Sequence, residues 1–138
     1  MFLSDRRQLG DILEEILHYT GPAVLQVTTF STGEEFLRRL LRIRQTGMIR
    51  AAHLMTDFRG AEKTARLMPM LANAFDSVKL CRIHAKLMIV EGEQCSCVVL
   101  TSQNQTRGNR VESYVISSDG RHLLELKEQL TQIPAALL

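Results

Sequence analysis

The sequence has no tryptophan and few other aromatic residues, and aromatics make up only 5% of the chain. It also lacks a run of about 18 consecutive apolar residues, the length that a membrane-spanning helix needs. Tryptophan and tyrosine rings are the side chains that usually anchor proteins at a lipid interface. We therefore expect no membrane insertion, and a substrate other than lipid is favoured.

Cysteine is scarce as well, and the three that occur are an odd number that gives no disulfide framework. The N-terminus reaches Asp5, Arg6 and Arg7 before an apolar segment can form, so no secretory signal is predicted. Reduced thiols without a signal are typical of a cytoplasmic protein. We expect that location.

The sequence has only a small excess of positive over negative charge. The 138 residues carry a net charge of +2, with 23% charged and 45% hydrophobic residues. This balance is typical of a globular protein, and the length predicts a single domain over residues 1–138. A charge of +2 permits a phosphate-bearing substrate, but by itself it does not indicate nucleic-acid binding.

Periodicity predicts alternating strands and helices. An N-terminal helix lies within residues 1–20, at about 5–18, and Ser31 and Thr32 precede Glu34 and Glu35 by three residues, as helix-capping residues do. Further helices are predicted at about 34–45, 61–75 and 120–132, and strands at 23–29, 48–55, 78–84, 86–90, 96–101 and 111–117. This order predicts an α/β fold, a mixed sheet flanked by helices.

The chemically informative region is residues 82–117. On one strand, His84 and Lys86 are two residues apart and so face the same way, as do Ser102 and Asn104 near the end of a later strand. Glu112 opens the strand that follows. A histidine nucleophile, cationic and amide donors for phosphate oxygens, and a carboxylate that orients the histidine together suit phosphoryl transfer.

This region resembles the signature of the phospholipase D superfamily, HxKx4D…GSxN…E. The matching residues are His84, Lys86, Glu91, Thr101, Ser102, Asn104 and Glu112. Glu91 replaces the usual aspartate, in a position that is mainly structural in the family, and Thr101 replaces the usual glycine.

The resemblance implies a phospholipase D-like half-domain with an extra N-terminal helix. It implies hydrolysis of a phosphodiester through a phosphohistidine, with no metal and no cofactor. His84 is then the nucleophile, Lys86 and Asn104 bind phosphate, Ser102 assists and Glu112 positions His84. The reaction needs two histidines and the chain has one HxK motif, so a homodimer with a composite site is implied, as in the smallest nucleases of the superfamily.

Other interpretations remain open. Nucleic acid is the favoured substrate, with Arg38 and Arg42 of an arginine-rich helix as candidate binding residues. The i,i+4 spacing of Glu34 and Arg38 predicts a favourable surface pair, so the same arginines suit a plain solvated helix. A phospholipid headgroup is the alternative substrate, and a catalytically silent nucleic-acid-binding or assembly module is the alternative function. A zinc site from Cys81, His84, Cys95 and Cys97 has a spacing unlike familiar zinc patterns.

Overall fold

We describe the chain from a computed structural model, in which residues 1–60, 65–106 and 109–137 are described. Within these ranges the chain forms seven strands, four α-helices and one short 3₁₀ turn at Ala65–Leu67. The strands are β1 (Phe2–Ser4), β2 (Ala23–Thr29), β3 (Ile49–Asp57), β4 (Ser77–Cys81), β5 (Lys86–Gly92), β6 (Ser96–Thr101) and β7 (Glu112–Ser117). The helices are α1 (Leu9–Thr20), α2 (Glu34–Gln45), α3 (Met68–Ala74) and α4 (Gly120–Thr131).

The strands form one mixed sheet in the order β1-β7-β6-β5-β2-β3-β4. The pairs β2–β3 and β3–β4 are parallel, and the remaining neighbours are antiparallel. The parallel pairs are those joined by helical connections, as parallel pairing requires. The predicted α/β class with a mixed sheet is confirmed.

Helices cover both faces of the sheet. The larger core lies between the sheet and helices α1, α2 and α3, and includes the fully buried Leu13, Leu25 and Leu37. The smaller core lies under α4 and includes Leu87, Ile89 and other residues of the opposite face. Each fully buried side chain of this kind contributes about 1.5–3 kcal/mol, so both faces stabilise the sheet.

Two of the predicted boundaries are wrong. The first helix begins at Leu9 and not at residue 5, because residues 2–4 pair with β7 as an edge strand. The strand predicted at 78–84 ends at Cys81, so His84 lies in the loop before β5 and not on a strand.

The predicted caps of α2 are also wrong. Its N-cap residue is Gly33, which makes no side-chain cap. The Thr32 hydroxyl instead donates to Gln105 Oε1 at 3.0 Å. The Thr32 hydroxyl, which the local pattern assigned to capping α2, is therefore used in a contact with the segment that follows β6.

Of the helix predicted at 61–75, residues 61–64 lie outside the described part. The described remainder begins with the 3₁₀ turn and continues as α3, in which Pro69 occupies the first turn. Proline is favoured there because its missing N–H has no partner to lose. Pro69 therefore lies in the first turn of α3. Across the described ranges, no helix is both long and apolar enough to cross a membrane.

Candidate active site

The predicted catalytic residues meet at one edge of the sheet. Strand β5 begins there with Lys86, which pairs with Thr101 at the end of β6. The ends of β2 and β3 and the start of β7 lie at the same edge, since Thr28 pairs with Leu87 and Tyr114 pairs with Thr101. The loop that carries His84 crosses this edge.

His84 is exposed and contacts two neighbours. The Nζ atom of Lys86 lies 3.2 Å from His84 Nδ1, and the Phe30 ring lies 5.3 Å from the imidazole centroid at a tilt of 46°. An ammonium group has donors only, so in this contact Nδ1 accepts and a neutral ring carries its proton on Nε2. His84 and Lys86 are therefore close together as expected, although His84 lies in a loop and Lys86 is the first residue of β5.

Two buried side chains from neighbouring strands hold the His84 loop in place. The Asp57 carboxylate accepts the backbone N–H groups of Ile83 and Arg59, each at 2.9 Å. The Thr28 hydroxyl donates to the carbonyl oxygen of Ala85 at 2.7 Å. Neither residue is predicted from the sequence as part of the site; for Asp57, an aspartate at the end of a buried strand is the available signal.

Asn104 is oriented by the backbone. Its Oδ1 atom accepts the Phe30 N–H at 3.2 Å, and the Thr29 hydroxyl lies 3.3 Å from the same oxygen. Because a backbone N–H can only donate, the oxygen of the amide faces Phe30 and the NH₂ group points away from it. Among the described residues nothing accepts from that NH₂ group, so it is available to an anionic ligand.

Ser102 and Glu112 form a pair at the same edge. The Ser102 hydroxyl donates to Glu112 Oε2 and accepts the Ser113 N–H at 3.0 Å. No hydrogen bond joins Glu112 to His84 in the described part of the chain. The expected Glu112–His84 bond is thus replaced, in this single chain, by a Glu112–Ser102 bond.

The chain neighbours of Ser102 and Asn104 hold this segment in place. Side chains alternate along residues 102–105, so that Gln103 and Gln105 are buried while Ser102 is exposed. The buried Tyr114 hydroxyl donates to Gln103 Oε1, and Gln103 Nε2 donates to Gln8 Oε1 at 3.0 Å. These bonds fix residues 102–105 to β7 and to the start of α1. The only sequence signal for the buried glutamines is the strand-like alternation of this segment.

Arg38 and Arg42 lie on α2 and make no contact with His84, Lys86, Ser102, Asn104 or Glu112. Arg38 pairs with Glu34 at 2.5 Å as an exposed i,i+4 ion pair, whereas Arg42 has no ion pair within the described ranges. At 1.5 Å per residue, Arg42 lies about 12 Å along the helix from its first residue, Glu34. Sequence reasoning correctly found the local pair but could not locate the helix relative to the motif.

Glu91 lies at the far end of β5 from Lys86. Its carboxylate pairs with Lys127 of α4 at 2.7 Å, across the sheet face that α4 covers. This contact links the strand to the covering helix and does not reach the site.

Cys81 lies apart from Cys95 and Cys97, whose side chains contact each other. Cys81 belongs to the core under α4, Cys97 belongs to the core on the opposite face, and Cys95 is exposed. Burial raises the pKa of both the Cys81 and Cys97 thiols, which makes them poor metal ligands. No group of three or more His, Cys, Asp or Glu side chains that could hold a metal occurs in the ranges described.

No family model matches the sequence, and no curated protein matches it. Among solved structures, the chain is similar to polyphosphate kinase from Porphyromonas gingivalis, with a TM-score of 0.62 and 14% sequence identity. The alignment covers 94% of this chain and 21% of the kinase chain, so the chain spans about a fifth of the kinase's length. At that identity the likeness shows the fold alone, a mixed α/β sheet flanked by helices.

Proposed function

We propose that the protein is a metal-independent phosphodiesterase that acts through a phosphohistidine at a composite site of a homodimer, with nucleic acid as its substrate. The observation that carries the proposal is the convergence of His84, Lys86, Ser102, Asn104 and Glu112 at one sheet edge. The contact of 3.2 Å between His84 and Lys86 and the unpaired NH₂ group of Asn104 among the described residues support the roles of His84 as nucleophile and of Lys86 and Asn104 as phosphate donors.

In the first step, an imidazole nitrogen of His84 attacks phosphorus. The bond from phosphorus to the leaving oxygen breaks, and that oxygen takes a proton from His84 of the second copy. In the second step, the same second histidine removes a proton from water, whose oxygen attacks the phosphohistidine and releases the phosphate product. Each histidine returns to its starting protonation state, as general acid–base catalysis requires.

Lys86 changes partner when the substrate binds. A phosphate oxygen is a stronger partner for an ammonium group than a neutral imidazole is, because both members of the pair are then charged. When Lys86 turns to phosphate, His84 Nδ1 is released and can carry the ring proton, which leaves Nε2 free to attack. Glu112, now bonded to Ser102, is the carboxylate that then accepts the Nδ1 proton in a hydrogen bond.

The composite site follows from the number of histidines. The two steps use two histidines at one phosphorus, and no second histidine contacts His84: His53 bonds to Ser77 and His122 to Ser117, at 2.7 Å each. His18 lines a separate cavity between α1 and α2. A twofold dimer brings two copies of His84 together, and closed twofold association is the commonest oligomer.

A chromogenic phosphodiester, bis(p-nitrophenyl) phosphate, tests the chemistry without assuming a natural substrate. We expect turnover in EDTA, because Lys86, Asn104 and the second histidine supply the positive field that metals supply elsewhere. His84→Ala removes the nucleophile and abolishes turnover, while the matched variant His53→Ala, outside the site, keeps it. Turnover that disappears in EDTA and returns with magnesium or zinc contradicts the mechanism, and no turnover in any condition favours a silent binding module.

A further inference from the structure

Two arginines flank one phenylalanine at the same sheet edge as His84. The guanidinium carbon of Arg59 lies 5.8 Å from the centroid of the Phe58 ring, and that of Arg82 lies 5.7 Å from it. Both distances fall within the range of cation–π contact. With Phe30, these residues form what we call the arginine–phenylalanine surface (Phe30, Phe58, Arg59 and Arg82).

This surface is continuous with the candidate active site. The Phe58 N–H donates to the Cys81 carbonyl oxygen at 3.0 Å, which holds the end of β3 against the residues that lead to His84. Phe30 reaches the imidazole directly, at 5.3 Å between ring centroids. Gly60 packs against the Phe30 backbone, since a Cβ there would collide with the Phe30 carbonyl oxygen.

This surface carries two positive charges. Arg59 and Arg82 are exposed, and neither makes an ion pair with any residue that the structure describes. Several other arginines have acidic partners, as Arg39 has in Asp11 and Arg44 has in Asp76. The nearby Asp57 carboxylate is buried and already accepts the backbone N–H groups of Arg59 and Ile83. Together with Lys86, the two guanidinium groups make this edge locally cationic.

We infer that the arginine–phenylalanine surface binds a single-stranded nucleic acid and leads its backbone to His84. The inference rests on the proposed function for the position of the scissile phosphodiester and adds to it the strand class and the binding residues. Arg59 and Arg82 contact backbone phosphates, and bases stack on the Phe58 and Phe30 rings or on the planes of the guanidinium groups.

The half-buried rings favour a single strand over a duplex. In a duplex the faces of the bases are covered by their neighbours, so an aromatic side chain gains no stacking from them. In a single strand the bases can be spread apart and stacked on aromatic rings and arginine planes, with little dependence on sequence. Cations alone would bind both forms, whereas cations alternating with rings select the single strand.

The test measures binding in the full-length His84→Ala protein, so that no cleavage occurs. The probes are a fluorescein-labelled oligothymidine, a duplex of equal length, and vesicles that contain anionic lipid, each titrated over a series of salt concentrations. The variants, added to His84→Ala, are Phe58→Ala, Phe58→Leu, Arg82→Lys and Arg59→Ala. Arg121→Ala is the matched control, since Arg121 is exposed on α4 and pairs with Asp119. Thermal unfolding of every variant confirms that it is folded.

We expect the oligothymidine to bind at least about tenfold more tightly than the duplex. Phe58→Ala and Phe58→Leu both weaken this binding by about tenfold, because neither replacement offers a ring. Arg59→Ala flattens the slope of log affinity against log salt by about 0.7, the contribution of one phosphate contact on a single strand. Arg82→Lys keeps the slope but weakens the affinity, since lysine keeps the charge without the plane.

Equal affinity for duplex and single strand overturns the inference, as does tighter binding to the vesicles. Unchanged binding in folded Phe58→Leu and Arg82→Lys proteins also overturns it. None of these outcomes depends on catalysis. Failure of the proposed function is seen separately, as a wild-type protein that does not hydrolyse bis(p-nitrophenyl) phosphate.

Discussion

The backbone N–H of Phe30 donates to Oδ1 of Asn104 at 3.2 Å, across the gap between the end of β2 and the segment that follows β6. This bond sets which way the Asn104 amide faces. The oxygen is committed to the protein, and the NH₂ group is left for a ligand. The same contact joins two parts of the chain that are 74 residues apart, so one amide links these two segments while its NH₂ group has no acceptor among the described residues.

The orientation of Asn104 gives the first prediction. Asn104→Asp keeps an oxygen toward Phe30 but replaces the outward donor with a negative oxygen that repels phosphate. We expect the Asp variant to lose about 10²–10³ in kcat/KM for a phosphodiester, the usual cost of one preorganised donor. Its thermal stability should stay close to that of the wild type.

Asn104→Ala provides the control, because it loses both the outward donor and the bond to Phe30. It should be similarly inactive and also less stable by about 1 kcal/mol in urea unfolding. An Asn104→Asp protein that retains wild-type activity would show that the amide donates nothing to the substrate.

The second prediction concerns the arginines of α2. Glu34 already neutralises Arg38 at 2.5 Å, whereas Arg42 has no ion pair within the described ranges. If α2 contributes to nucleic-acid binding, Arg42→Ala should reduce the salt slope more than Arg38→Ala does, by about 0.7 on a single strand. The check is fluorescence anisotropy in a salt series. If neither variant changes the salt slope, both arginines lie on a solvated helix face and do not bind nucleic acid.

The third prediction concerns acid stability and the contact between α1 and α2. Arg39 bonds to Glu14 at 2.9 Å and to Asp11 at 2.5 Å. The Arg39 hydrogen bond holds the pKa of Glu14 below its usual value. Burial acts to raise the pKa of Asp11, but the bonds from the Gln8 N–H and Arg39 outweigh it and lower that pKa as well.

A carboxyl group with a lowered folded-state pKa stabilises the protein at pH values above its unfolded pKa, and this contribution is lost as pH falls through the folded value. We therefore expect Glu14→Gln to lower the free energy of unfolding at pH 7 by less than about 1 kcal/mol, since the pair is partly exposed. The difference from the wild type should shrink below about pH 4.3, the usual glutamate value. A difference that stays constant from pH 7 to pH 3 would contradict the pairing.

Local patterns predicted much of this fold. Apolar spacing found α1 and α4 to within a few residues, and the β-branched run at 23–29 is β2 as predicted. The i,i+4 pairing of Glu34 and Arg38 is also a local property. These features depend on neighbours within one or two turns, so the sequence near each residue is sufficient to predict them.

The parts that sequence reasoning missed depend on distant partners. His84 leaves the predicted strand because Asp57, which lies 26 residues before Ile83, accepts the Ile83 N–H. Glu112 bonds to Ser102 and not to His84 through the register of β6 and β7. The surface formed by Phe58 and its two arginines needs the pairing of β3 with β4 to bring its members together. No local pattern encodes those pairings.

The fourth prediction tests whether two copies of the chain share one site. Wild-type and His84→Ala proteins are mixed and allowed to exchange subunits completely, with exchange followed by mass spectrometry of tagged chains. Under random pairing of equal amounts, about one quarter of the dimers have His84 on both sides. A mixed dimer lacks either the nucleophile or the acid, so we expect activity per wild-type chain to fall to about half and to keep falling in proportion to the wild-type fraction. Complete exchange with no change in activity per wild-type chain would contradict the composite site.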